Sequence, residues 1–284
     1  VSSDEIERPE VSERSRAVAA IFDRSAPTYD SVGVPWFTPI AAHLVREIAP
    51  QPGERALDLG SGRGAVLLPL AEAVGARGSV VGLDLAPGMV EALRADLAKS
   101  GLTSAVVQLG DVTAPDFELA SFDLVTASLV LFFLPDPALA LRNWRRLLVP
   151  GGRIGVSTFG PQDQTWQAAD DVFRPYLPQQ LLDARTSGLS GPFASDAGVE
   201  QLLTGAGFDA VRTLTVDVPV QFTDLEQWRR WSWSHGQRAL WEMVPEDRHA
   251  DVLAEVGRAL EPARDENGVI TVGQQVRYTF GRRP

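Results

Sequence analysis

The feature that most constrains the fold is the run Ala56-Leu57-Asp58-Leu59-Gly60-Ser61-Gly62-Arg63-Gly64. An apolar stretch suited to a buried strand leads into three closely spaced glycines, and an apolar helical stretch starts at Ala65. Glycine lets the backbone turn sharply and lie against a ligand with no Cβ in between. The helix N-terminus that follows favours a negative group, whether a phosphate or the carboxylate of an amino acid.

The surrounding pattern points to an α/β chain. Strands are expected at 55–59, 79–83, 105–109, 122–127 and 153–158, with helices at 65–74, 88–100 and 137–148 between them. Apolar strands separated by helices of this length specify a mostly parallel sheet covered on both faces. Two helical stretches, 11–25 and 39–48, precede the first strand. Beyond Phe159 the alternation breaks: residues 160–195 are rich in Pro, Gln, Gly and Ser, with a helical stretch near 165–173. This reads as an insertion over the ligand-binding edge of the sheet. Ser195 is placed to cap a short helix ending at Gly205 or Gly207. A strand at 211–222, helices at 224–244 and 246–260, and a last strand at 269–280 complete the chain. The expected organisation is an N-terminal helical cap segment over 1–50 and a ligand-binding domain over 51–284, with cap insertions about 160–195 and 224–262.

Composition narrows the ligand. The formal net charge of -11 repels phosphate backbones and anionic membranes alike. The densest basic clusters are the pairs Arg145-Arg146, Arg229-Arg230 and Arg282-Arg283. Neither nucleic acid nor a membrane is therefore expected as a partner, and a small neutral or apolar ligand fits better. The absence of cysteine excludes disulfides, thiolate nucleophiles and Cys-ligated zinc. His43, His235 and His249 lie far apart, and no metal site is expected. The first residues are polar and acidic, unlike a signal peptide. The longest nearly apolar stretch, 124–135, contains Thr126 and Ser128 and is too short to span a bilayer. A cytoplasmic protein is expected.

The glycine loop alone leaves two ligand classes open, because Gly60, Gly62 and Ala65 also satisfy the dinucleotide pattern G-x-G-x-x-G/A. Two carboxylates decide between them. Asp84 ends the second strand, where it can accept hydrogen bonds from both hydroxyls of a ribose. Asp111, in Leu109-Gly110-Asp111-Val112, follows the third strand, where it can accept from an exocyclic adenine amine. A dehydrogenase shares the first carboxylate and does not typically need the second. Asp58, before the glycines, suits a cationic ammonium or sulfonium better than a pyrophosphate.

With these residues in view, the chain resembles the class I S-adenosylmethionine (SAM)-dependent methyltransferases, near their quinone and small-molecule branch. The resemblance covers roughly residues 20–160. Phe22–Asp30 is similar to that branch's F-x-x-x-A-x-x-Y-D segment. Leu57–Gly64, Gly82–Leu85, Gly110-Asp111, Phe122–Val125 and Leu147–Arg153 follow in the family's order. The resemblance implies a Rossmann-like seven-stranded sheet, mostly parallel with an antiparallel last strand, under a helical cap. It also implies SAM as cofactor and S-adenosylhomocysteine as product. Gly60, Ser61, Gly62 and Gly64 would hold the methionine part beside Asp58, with Tyr29 reaching its carboxylate from the cap. Asp84 would bind the ribose, and Leu85 and Met89 would flank the adenine. Gly110, Asp111 and the Val112 amide would read the adenine edge, and Ser128 would lie near the methionine amine.

The acceptor side is less constrained. Gln227–His235, with Trp241 beyond it, holds four of the seven tryptophans. On one helix, Trp228, Trp231 and His235 share a face. That face either packs its rings on the core or walls a substrate pocket with His235 as general base. Phe132 and Phe133 border the substrate cleft in the family it resembles. The expected activity is O-, C- or N-methylation of a small apolar or aromatic metabolite by in-line displacement; the oligomeric state stays open. One alternative is a SAM-binding protein that promotes a cyclisation without methyl transfer. An NAD-dependent dehydrogenase is opposed by Asp111 and the loop spacing. Methylation of a macromolecule is disfavoured, since Ala127-Ser128-Leu129-Val130 stands where an N-P-P-Y-type tetrad would, and cysteine is absent.

Overall fold

A computed structural model describes residues 10–177 and 190–284. Residues 1–9 of the expected cap segment, and 178–189 of the expected insertion, lie outside the described residues.

Seven strands form one sheet: β1 (Arg55–Leu59), β2 (Ser79–Asp84), β3 (Ala105–Leu109), β4 (Phe122–Ser128), β5 (Leu148–Gln162), β6 (Asp209–Phe222) and β7 (Ile270–Arg282). Their order is β3-β2-β1-β4-β5-β7-β6. The first five are parallel, and β7 runs antiparallel to both β5 and β6. The expected sheet, including its antiparallel last strand, is the one found. β5 extends past the expected Thr158 to Gln162, through an irregularity in its pairing with β7.

The helices are α1 (Glu13–Ser25), α2 (Phe37–Ile48), α3 (Leu67–Val74), α4 (Pro87–Ser100), α5 (Pro137–Leu147), α6 (Gln164–Asp171), α7 (Asp196–Gly205), α8 (Leu225–Trp233), α9 (Arg238–Trp241) and α10 (His249–Leu260). Several starts are fixed by side-chain caps that the sequence supplies. Ser12, Asp136, Asp163, Ser195 and Asp224 each accept the backbone N–H three residues on, which satisfies one of the orphan donors of a helix N-terminus. Right-handed crossovers put α3 and α4 on one face of the sheet and α5 on the other. α2 joins α3, burying Ile40, Ala41, Leu44, Val45 and Ile48 against the sheet. It is thus part of the core layer and reaches the cavity described below only through Phe37 at its start, whereas α1 contributes a whole face to that cavity.

The expected helix over 224–244 is broken. α8 stops at Trp233 because the Ser232 and Ser234 hydroxyls donate to the Arg229 and Trp231 carbonyls (2.9 and 2.7 Å), competing with the helical ladder, and Gly236 follows. His235 therefore lies past the helix end, yet its ring still meets Trp231 at 4.3 Å.

The strand order reverses between β1 and β4, and the crevice beyond the carboxyl ends of such neighbours is where α/β sheets bind ligands. A cavity of about 530 Å³ opens there.

Candidate active site

The loop after β1 is laced to the end of β2. Gly60 and Ser61 donate to the Leu83 carbonyl at 2.8 and 3.2 Å, and Gly62 donates to Asp84 Oδ2 at 2.8 Å. Gly60 has φ +70°, and a Cβ there would lie 2.3 Å from the Val130 side chain, so only glycine lets the β1 and β4 loops touch. Gly62, at φ +51°, differs: a Cβ there would meet nothing within 4 Å, since it borders the cavity. The other Asp84 oxygen accepts the Ala86 amide at 2.9 Å. Each carboxylate oxygen keeps a lone pair for a ligand. Burial pushes the Asp84 carboxyl up, opposed by the Ala86, Gly62 and Leu85 amides.

Asp111 is held in the same manner: Thr113 donates its N–H (2.8 Å) and its hydroxyl (2.7 Å) to the two oxygens. The loop that carries it is pinned from α5. Trp144 Nε1 donates to the Val112 carbonyl at 2.6 Å and Asn143 Nδ2 to the Thr113 carbonyl at 3.0 Å. Neither residue stood out in the sequence, because their contacts lie some thirty residues away. Ser128, at the end of β4, shares a 2.8 Å hydrogen bond with the Ser157 hydroxyl of β5.

Above this end, α1 is fastened to the sheet domain. Asp23 Oδ1 accepts the Gly88 amide at the start of α4 (2.5 Å), and Arg63 donates to the Ala26 carbonyl (2.8 Å) while pairing with Asp96 (2.5 Å). Asp30 accepts from the Trp36 and Phe37 amides and the Thr38 hydroxyl, capping α2. The Phe22–Asp30 segment therefore sets the position of Tyr29, whose ring stacks on Phe37 at 4.5 Å. Burial and the nearby Asp30 and Asp84 charges raise the Tyr29 phenol well above its ordinary range, so it stays protonated.

The far end of the cavity is aromatic. Trp36, Trp166 of α6 and Trp231 of α8 meet pairwise at 5.3, 6.0 and 5.6 Å. Phe37, Phe132 and Phe159 extend the wall.

Residues 57–156 match the family described as a methyltransferase domain. The chain is 41% identical to nocamycin O-methyltransferase of Saccharothrix syringae over 276 residues, 92% of this chain and 97% of that one. The chain belongs to the class I SAM-dependent methyltransferases. A second relative in the family is aklanonic acid methyltransferase of Streptomyces sp. strain C5, 42% identical over 59% of this chain and 76% of its own. Among solved structures, phosphoethanolamine N-methyltransferase 2 of Haemonchus contortus, in complex with phosphomonomethylethanolamine and S-adenosylhomocysteine, has the same fold (TM-score 0.62). It is 16% identical, covering 98% of this chain and 61% of that one.

Of the methyltransferase site residues expected from the sequence, Tyr29, Gly60, Gly62, Asp84 and Leu85 line the cavity. Met89, Asp111, Val112 and Ser128 line it as well. Four lie behind its wall. Asp58 is buried under the loop, accepting the Thr126 hydroxyl at 2.8 Å. Burial and the Asp84 charge, opposed by that hydroxyl, push its carboxyl up to about 7. Ser61 faces Gly82, and the free sides of Gly64 and Gly110 face Leu93 and Leu83, where a Cβ would lie within 2.7 Å of each leucine. These positions shape the loops from beneath. His235 lines the cavity, and burial lowers its imidazole to about 3. The sequence had not singled out Trp36 and Trp166. They come from separate elements, and no local spacing joins them to Trp231.

Proposed function

We propose that the glycine end of the cavity holds SAM and that the aromatic end holds a small apolar or aromatic metabolite, one oxygen of which receives the methyl group. The observation that carries this reading is a single continuous cavity, with Gly62, Asp84 and Asp111 at one end and the Trp36–Trp166–Trp231 rings at the other.

The residues fit the cofactor. Gly62 leaves open space where a side chain would stand, and Asp84 and Asp111 are carboxylates with fixed orientation and spare acceptor capacity. In this reading Asp84 takes the ribose hydroxyls, Asp111 and the Val112 amide take the adenine edge, and Leu85 and Met89 flank the ring. The loop glycines and Ser128 border the methionine part, with the protonated Tyr29 hydroxyl as a donor for its carboxylate. Bound SAM supplies a methyl group on a positively charged sulfur. The protein's share of the work is then alignment and exclusion of water. Helix α1, fastened through Asp23 and Arg63, roofs the cavity, and the aromatic rings keep the acceptor end dry.

An apolar acceptor is supported by the aromatic lining, and oxygen as the acceptor atom by the name of the nocamycin relative. A nucleic-acid substrate has no support from a chain of net charge -11. The test is to incubate the protein with SAM and a panel of polycyclic phenols and aromatic acids, following S-adenosylhomocysteine and product mass. One equivalent of S-adenosylhomocysteine per methylated product is expected. A cyclised product with no S-adenosylhomocysteine would overturn the reading.

A further inference from the structure

The aromatic end of the cavity carries polar atoms that no described residue partners. Trp166 Nε1 and His235 Nε2 have no hydrogen-bond partner among the described residues. Both residues line the cavity, with only 3% and 7% of their surface exposed. Both rings pack on Trp231, whose ring lies 5.6 Å from the Trp166 indole and 4.3 Å from the His235 imidazole.

The proton on His235 has a defined position. Nδ1 accepts the Gln237 backbone N–H at 3.4 Å, so the neutral ring carries its hydrogen on Nε2 and that atom is a donor. Gln237 is oriented in turn by Asp170, which accepts its amide N–H at 2.8 Å. This leaves Oε1 of Gln237, another cavity-lining residue, without a donor among the described residues. A buried donor without an acceptor costs about 1–3 kcal/mol. A ring face such as that of Trp231 returns only part of this. Two such donors on residues that line one cavity are the complement of a ligand acceptor, whose binding would relieve the cost.

We propose that Trp166 and His235 donate together to one oxygen of the substrate, a carbonyl or carboxylate oxygen on an otherwise apolar skeleton. His235 then acts as a hydrogen-bond donor rather than as the general base that one of the two sequence readings makes it. The burial that lowers its pKa keeps it in that neutral form. This rests on reading the aromatic end as the substrate half, and it adds the group by which that half selects its ligand.

The test uses the full chain saturated with S-adenosylhomocysteine, titrated with 2-ethylnaphthalene, 2-acetylnaphthalene and 2-naphthoate and followed by tryptophan fluorescence. At least one oxygen-bearing probe is expected to bind about tenfold more tightly than the ethyl compound, as one or two net hydrogen bonds allow. The acetyl and carboxylate arms show which kind of oxygen is preferred. Trp166→Phe and His235→Phe are each expected to reduce the preference to about twofold or less while S-adenosylhomocysteine still binds. Equal binding of all three probes, or a preference that survives both substitutions, would overturn the proposal. Failure to bind S-adenosylhomocysteine would instead count against the cofactor reading. A second measurement needs no change at the site. The His235 ¹⁵N signals, assigned by eliminating His43→Gln and His249→Gln, are expected to show a neutral ring protonated on Nε2 from pH 5 to 8. A ring protonated on Nδ1, or one that titrates in that range, would contradict it.

Discussion

At the glycine end of the cavity, polar side chains are held by amides and a hydroxyl of the loops at the strand ends. Asp84 is fixed by the Gly62 and Ala86 amides, and Asp111 by Thr113. At the aromatic end, Trp36, Trp166, Trp231 and His235 come from three segments and are held by ring packing, with donors that have no partner among the described residues. The first arrangement suits a ligand that every member of a family shares, because turns and strand ends reproduce it whatever covers the sheet. The second suits a ligand that differs from one member to the next, since a change of ring on one element alters shape and leaves the other end intact.

That division can be broken by substitution. Trp231→Ala removes the ring shared by Trp36, Trp166, Phe222 and His235. A stability loss of about 3–5 kcal/mol is expected, read by denaturant melting. The affinity of the folded fraction for S-adenosylhomocysteine should stay within about threefold of the original, and a parallel loss of affinity would mean that the two ends are one unit. Asp84→Ala is the converse change. Losing charge-assisted hydrogen bonds of about 1.5–3 kcal/mol predicts S-adenosylhomocysteine binding weaker by roughly 10- to 100-fold in calorimetry. The fluorescence response of the aromatic end to apolar probes should be little changed.

The smallest effect separates the ends by pH. Asp58 is raised from 3.8 to about 7, so the folded chain holds that proton more tightly than the unfolded chain. Its contribution to stability therefore falls as pH rises from about 4 to about 7. His235 is lowered from 6.5 to about 3, so the unfolded chain takes up a proton that the folded chain refuses. Its contribution is lost as pH falls from about 6.5 towards 3. Melting temperatures across pH 5–8 should show Asp58→Asn gaining most over the original protein at the alkaline end. His235→Gln should gain most at the acid end. Parallel profiles for the two variants would contradict these assignments.

The same contrast explains what was legible in the sequence. The sheet, the loop and the two strand-end carboxylates are written in short consecutive runs, because tight turns and buried parallel strands restrict residue type locally. The Trp-rich stretch was visible too, but helical spacing carried the helix through His235, where the Ser232 and Ser234 hydroxyls end it first. The sequence pattern sets Asp58 beside the ligand, whereas its side chain is buried behind the cavity wall against Thr126 of β4. Asn143, Trp144, Trp36 and Trp166 gave no signal, because each acts across the fold on residues far away in the chain.

The most direct test of this two-ended account is a crystal structure with S-adenosylhomocysteine bound. The account predicts the ribose hydroxyls on Asp84, the adenine amine on Asp111 and the sulfur facing the aromatic end, with the Trp36–Trp166–Trp231 box free of cofactor. An adenine ring seated among those tryptophans would contradict it.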